Sequence, residues 1–165
     1  MKTQNSKLKI NLVSEVPAEL EIEPLERMVA VLNQIDPPWL RAGTINLKLV
    51  SDKVIKQLNR EYAGNDYATD VLSFSYIENQ AAAEAAPFDP TELGDMVISL
   101  ETARRQATAA GTSLSDEMAL LALHASLHIF GFDHAEVAQA AGMDALQANI
   151  LAQAGVPYRD FKWTK

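Results

Sequence analysis

The chain reads as an α+β domain: one small mixed β-sheet of about four strands, about five helices, and a very apolar helix at the centre. Three observations predict this. Two segments of period-two alternation in the first third are each followed by a helical pattern, two short apolar strands come next, and the last third is helical almost throughout. The 165 residues contain no repeat and no Pro/Gly/Ser-rich divider, so 1–165 is read as a single domain. At this length one core removes about 70% of the unfolded chain's surface from water, and neither a disulfide nor a structural metal is needed for folding.

Lys7 to Leu12 (KLKINL) and Thr44 to Val50 (TINLKLV) alternate as half-buried strands do. Between them Pro24 suits the first turn of a helix running to about Ile35, with Leu25, Met28, Val29 and Leu32 as its apolar stripe and Pro37-Pro38 as its stop. Ser51 is placed to cap a second helix through about Tyr62, with Val54, Ile55 and Leu58 facing inward. Val71 to Tyr76 and Met96 to Ser99 are the next strands, and the Ala-rich stretch between them, Ile77 to Glu92, reads as a loop or lid. Ser99 caps a helix ending near Gly111, and Ser113 or Ser115 caps the next, which runs to Phe130 with Gly131 placed for a left-handed exit. A last helix covers about Ala135 to Ala154, ended by Gly155 and Pro157.

Composition removes several function classes. With no cysteine, thiolate metal sites, disulfide scaffolds and thiol nucleophiles are excluded. The first twelve residues alternate polar and apolar, unlike a secretory leader, and Met118 to Phe132 is too short to span a bilayer, so a soluble, cytoplasmic protein with no membrane contact is expected. Fourteen basic residues stand against 22 acidic ones, a net charge of −8, which disfavours nonspecific adhesion to nucleic acid. An RNA role would need a local basic patch, for which Lys53, Lys56 and Arg60, Arg104 and Arg105, and the tail residues Arg159, Phe161, Lys162 and Trp163 are the candidates. The aromatic tail reads first as a C-terminal clasp.

All three histidines, His124, His128 and His134, fall in the string HASLHIFGFDH. Four residues of α-helix turn about 400° and rise about 6 Å, so the first two rings share one face, and a chain reversed at Gly131 can bring His134 back to them. Their helix is apolar on nearly every side, which leaves the rings partly desolvated, and a shared cation satisfies them together. Three neutral nitrogens without thiolate suit one Zn²⁺ per chain with a fourth position open to water, although nickel, cobalt, copper or iron could also occupy such a set. Hydrolysis is the implied chemistry. H-x-x-x-H-x-x-G-x-x-H is also the spacing of metzincin proteases, but the position of their general-base Glu is here Ala125.

The string resembles the motif H-G-x-L-H-L-x-G-Y-D-H of the YbeY-type endoribonucleases, matched at His124, Leu127, His128, Gly131, Asp133 and His134, with Ala125, Ile129 and Phe132 as departures. Thr69-Asp70-Val71-Leu72-Ser73-Phe74 is similar to the family's T-D-V-L-S-F strand, and Leu93-Gly94-Asp95-Met96-Val97-Ile98-Ser99 to its L-G-D-I-V-I-S strand. The resemblance implies a zinc-dependent, single-strand-specific endoribonuclease of small-subunit ribosomal RNA maturation and ribosome quality control, with the three histidines as ligands. It also implies an arginine at the position of Ala63, where this chain has only a methyl group, one helical turn from Arg60. Two other readings stand beside it: a ribosome-assembly factor with weakened catalysis, and a metal-dependent peptidase. Asp70, Asp95 and Asp133 could hold the ligands' far ring nitrogens, or simply fix turns through backbone N–H groups.

Overall fold

The computed structural model describes residues 7–77, 89–133 and 137–159. In chain order it contains β1 (Leu8–Ser14), α1 (Glu23–Ile35), β2 (Gly43–Val50), α2 (Asp52–Ala63), β3 (Val71–Ser75), β4 (Glu92–Ser99), α3 (Leu100–Ala110), α4 (Leu114–Ile129) and α5 (Val137–Ala154). The strands form one mixed sheet in the order β1-β2-β4-β3. β1 and β4 run parallel to β2 on either side of it, and β3 closes the edge antiparallel to β4. Among the described residues the expected α+β class is found, with four strands and five helices.

Period-two alternation decides which side of the sheet carries the core. Ile45, Leu47 and Leu49 of β2 and Met96 and Ile98 of β4 are buried in one cluster with Leu25, Met28 and Leu32 of α1 and Met118, Leu121 and Leu127 of α4. Each such side chain contributes about 1.5–3 kcal/mol by leaving water. The opposite face is covered more thinly by α2, whose Ile55 meets Val50 and Val97 with Leu58, Leu72 and Phe74 alongside.

Three serines cap as their positions suggest. Ser51 accepts from the N–H of Val54, Ser99 from Thr102, and Ser113 from Asp116. Ser115, the other candidate for the α4 cap, instead accepts the Glu21 N–H at 2.7 Å. Asp52 fastens α2 to α3 by taking hydrogen bonds from the hydroxyls of Ser99 and Thr102 and from Arg105. Burial alone would raise its pKa, but these donors outweigh it and hold the carboxyl below the usual range.

β4 begins at Glu92, four residues before the expected Met96. Gly94 and Asp95 continue the ladder within the strand-like string Leu93 to Ser99, Gly94 opposite Ile45 and Asp95 opposite Asn46. Most of the expected loop or lid at 77–92 lies outside the described residues. At its far end, Asp89 holds a turn by accepting from the N–H and hydroxyl of Thr91.

Candidate metal centre

The centre is built on α4. Thirteen of its sixteen residues are buried, so the helix is central on every side, as its near-continuous apolar sequence requires. Ile129 lies against the sheet at Gly94, and His128 is about 100° further round the helix. His124 is 2% exposed and His128 is half-buried. Their rings stand nearly perpendicular with centroids 4.5 Å apart, and the two Nε2 atoms meet at 3.0 Å.

Local structure fixes the second ring. The N–H of Phe132 bonds the carbonyl of Leu127, and that of Gly131 bonds the carbonyl of His128, the paired bonds of a Schellman turn with glycine at φ 100°. The same turn aims the carbonyl of Phe132 at His128, whose Nδ1–H donates to it at 2.8 Å. Trp39 anchors the turn from outside, with ring centroids 5.0 Å from Phe132 and 5.4 Å from Phe130. Because a carbonyl only accepts, the proton of His128 sits on Nδ1 and the lone pair on Nε2.

His124 is held in the same sense from the neighbouring helix. The side-chain carbonyl of Gln147 on α5 lies 2.9 Å from His124 Nδ1. With that oxygen accepting, His124 also turns a lone pair inward. Two such lone pairs 3.0 Å apart repel unless a cation lies between them. Two tetrahedral zinc ligands at their usual bond lengths stand about 3.4 Å apart, so the pair fits zinc with a shift of a few tenths of an ångström. His134, the expected third ligand, lies outside the described residues, and among the described residues no three His, Asp or Glu side chains are grouped as a complete metal site.

Two of the aspartates considered as ring partners hold groups elsewhere in the sheet. Asp70 takes the N–H of Val71 at 2.8 Å and a hydrogen bond from Gln106 at 3.2 Å, fixing the start of β3. Asp95 accepts from Tyr76 and, at 3.1 Å, from Asn46, on the α2 side of the sheet. Burial first, and then the hydrogen bond to Asp95, push the Tyr76 phenol up to about 12. Asp133 is exposed. The partners that sequence reasoning missed are a backbone carbonyl, which leaves no sequence signal, and Gln147, which does: it is a polar residue on the buried stripe of Met143, Ile150 and Leu151.

Lys53, Lys56 and Arg60 form one exposed stripe on α2, and Ala63 is exposed at the end of that helix. Arg105 pairs with Asp52 at 3.0 Å. Arg159 is not an outward-facing contact but a clasp, paired with the buried Glu117 of α4 and donating to Gln106. Phe161, Lys162 and Trp163 lie outside the described residues. A groove of about 560 Å³ occupies the α2 side of the sheet, lined by Leu58, Tyr62, Phe74, Tyr76 and Asp95. Its polar floor is internally satisfied, since Asn46 and Tyr76 both donate to Asp95. Among the described residues no helix is long and apolar enough to cross a membrane.

Residues 5–155 match the model of a family described as endoribonuclease YbeY. The endoribonuclease YbeY of Moorella thermoacetica is 49% identical over 115 residues, covering 68% of this chain and 73% of that protein. Its counterpart in Heliobacterium modesticaldum is 42% identical over 131 residues, 77% of this chain and 78% of that one. The one from Desulforamulus reducens is 36% identical over 146 residues, 88% and 95% respectively. Among solved structures, the solution structure of a Thermotoga maritima protein superposes with a TM-score of 0.58 at 22% identity, over 95% of this chain and 99% of that one, a likeness of fold.

Proposed function

The chain belongs to the endoribonuclease YbeY family, whose members are nuclease hydrolases, and from that premise we propose that it is a zinc-dependent, single-strand-specific endoribonuclease. In this reading it acts in the cytoplasm on small-subunit ribosomal RNA, in its maturation and in ribosome quality control. The observation that carries the proposal is the meeting of His124 Nε2 and His128 Nε2 at 3.0 Å, each ring held from behind at Nδ1.

His124 and His128 would hold one Zn²⁺ through their Nε2 lone pairs, and His134 is the proposed third ligand. When bound, the ion supplies a Lewis acid for a phosphoryl oxygen and lowers the pKa of a coordinated water to about 7. The buried flank of α4 excludes bulk water from one side of the pair, which strengthens every charge interaction there. The stripe of Lys53, Lys56 and Arg60 is the proposed phosphate contact. At a net charge of −8 such binding weakens steeply with salt and is helped by the ribosomal small subunit or its proteins.

The test is cleavage of single-stranded RNA by the purified protein, with chelator and with zinc restored. Loss on chelation and recovery with zinc are expected; cleavage indifferent to chelator would refute the metal role. The cut ends separate two routes, a 2′,3′-cyclic phosphate marking attack by the neighbouring 2′-hydroxyl and a linear phosphate marking attack by water.

Ala63 favours a second reading, a ribosome-assembly factor whose catalysis is weak. A methyl group on the exposed end of α2 cannot hold a phosphate oxygen as a guanidinium does. If Ala63→Arg raises RNA cleavage by orders of magnitude, the native chain is a weakened nuclease; unchanged cleavage leaves Arg60 or the metal alone to do the work. The peptidase reading lacks its proton acceptor, because Ala125 is buried and has no group to offer, and a casein substrate run in parallel checks it.

A further inference from the structure

We infer that Gln147 is the positioning residue of the metal centre, selecting the tautomer of His124 through a side-chain amide that can be reversed. The inference rests on the proposed binding of metal by His124 and His128. Gln147 is 1% exposed, on a helix otherwise packed through Met143, Ile150 and Leu151. Burying an amide among apolar side chains is unfavourable unless it is hydrogen-bonded. Its carbonyl oxygen meets His124 Nδ1 at 2.9 Å, while its Nε2 is buried with no partner among the described residues. The amide thus satisfies the ring at the cost of its own second half, which marks the ring contact as the reason a polar residue occupies the stripe.

The two ends of an amide correspond to the two tautomers of the ring. With the carbonyl toward His124, the ring proton is held on Nδ1 and the Nε2 lone pair faces His128, ready for a cation. Rotated by half a turn, the amide donates to Nδ1, so the ring proton moves to Nε2. That proton then closes a hydrogen bond to His128 Nε2 across the same 3.0 Å gap. His128 cannot make this exchange, because the carbonyl of Phe132 only accepts. Gln147 therefore lets the metal-free pair close on itself and the metal-bound pair open, with no change of net charge. A carboxylate at this position could serve only the metal-bound form, and an apolar residue neither.

The experiment measures zinc affinity by chelator competition for the native chain, Gln147→Leu and Gln147→Glu, together with long-range proton–nitrogen spectra of the imidazoles in the native protein with and without zinc. Gln147→Leu is expected to weaken zinc binding by about 10–100-fold, and Gln147→Glu, which restores the acceptor, to recover it. In native spectra the His124 proton is expected on Nδ1 with zinc and on Nε2 without it. Equal zinc affinity in the native and Leu proteins, or an unprotonated Nδ1 in the zinc-loaded native protein, overturns the role of Gln147 alone. A native protein that takes up no zinc overturns this inference and the metal reading together. The native spectra need no variant, so a misfolded Leu protein does not spare the inference.

Discussion

Ser75 donates its hydroxyl to the carbonyl oxygen of Ile129 at 2.7 Å, tying the edge strand β3 to the last turn of the helix that carries both histidines. A carbonyl in that turn has no partner within its own helix, so the serine fills a real vacancy. Ser75→Ala should lower stability by about 0.5–1.5 kcal/mol and speed amide exchange in the turn around Phe130 to Phe132. Urea denaturation and hydrogen exchange measure both, and unaltered exchange there would show that β3 does not steady the turn.

Gly94 allows α4 to approach the sheet. A Cβ at that position would stand 2.5 Å from the backbone oxygen of Phe74 and 3.2 Å from the side chain of Ile129. Backbone cannot yield as a flexible side chain does, so Gly94→Ala should cost about 1–3 kcal/mol or more. An unchanged urea midpoint would mean that the sheet and helix part more easily than their packing implies.

Removing one ligand should remove zinc without unfolding the chain. His128 is half-buried and the core of β2, β4, α1 and α4 packs without it. For the native protein, added zinc should raise the melting temperature by mass action. His128→Ala should keep a native far-ultraviolet spectrum and show no such rise. Stoichiometric zinc in that variant, read by elemental analysis, would overturn the ligand assignment.

Tyr76 should titrate well above an ordinary tyrosine. Its phenol is pushed up to about 12, first by burial and then by its hydrogen bond to Asp95. A raised folded-state pKa means that the associated stability is complete below the unfolded value of about 10 and is lost as pH climbs through about 12. Phenolate absorbance across that range, compared with Asp95→Asn, tests the cause. The variant's midpoint should fall, and an unmoved midpoint would leave burial as the sole origin.

Much of this was legible from local pattern because local physics decides it. Alternation placed β1 and β2, serines at N-caps placed three helices, and a glycine three residues after His128 announced the turn that holds that ring. What escaped depends on partners distant in sequence. The strand order with β3 outermost and the pairing of His124 with a residue 23 positions later are set by tertiary packing. Asp70 and Asp95 sit in motif-like strings beside the histidines in the reading, yet they bond to strand starts and sheet neighbours.

The clasp between Arg159 and Glu117 has a practical side for anyone handling this protein. Glu117 is 2% exposed, so a purification handle or reporter spliced in near Tyr158 that pulls the arginine away leaves a charge stranded in oil. A cut that removes Arg159 should announce itself in a preparation by clumping before any enzymatic defect is seen.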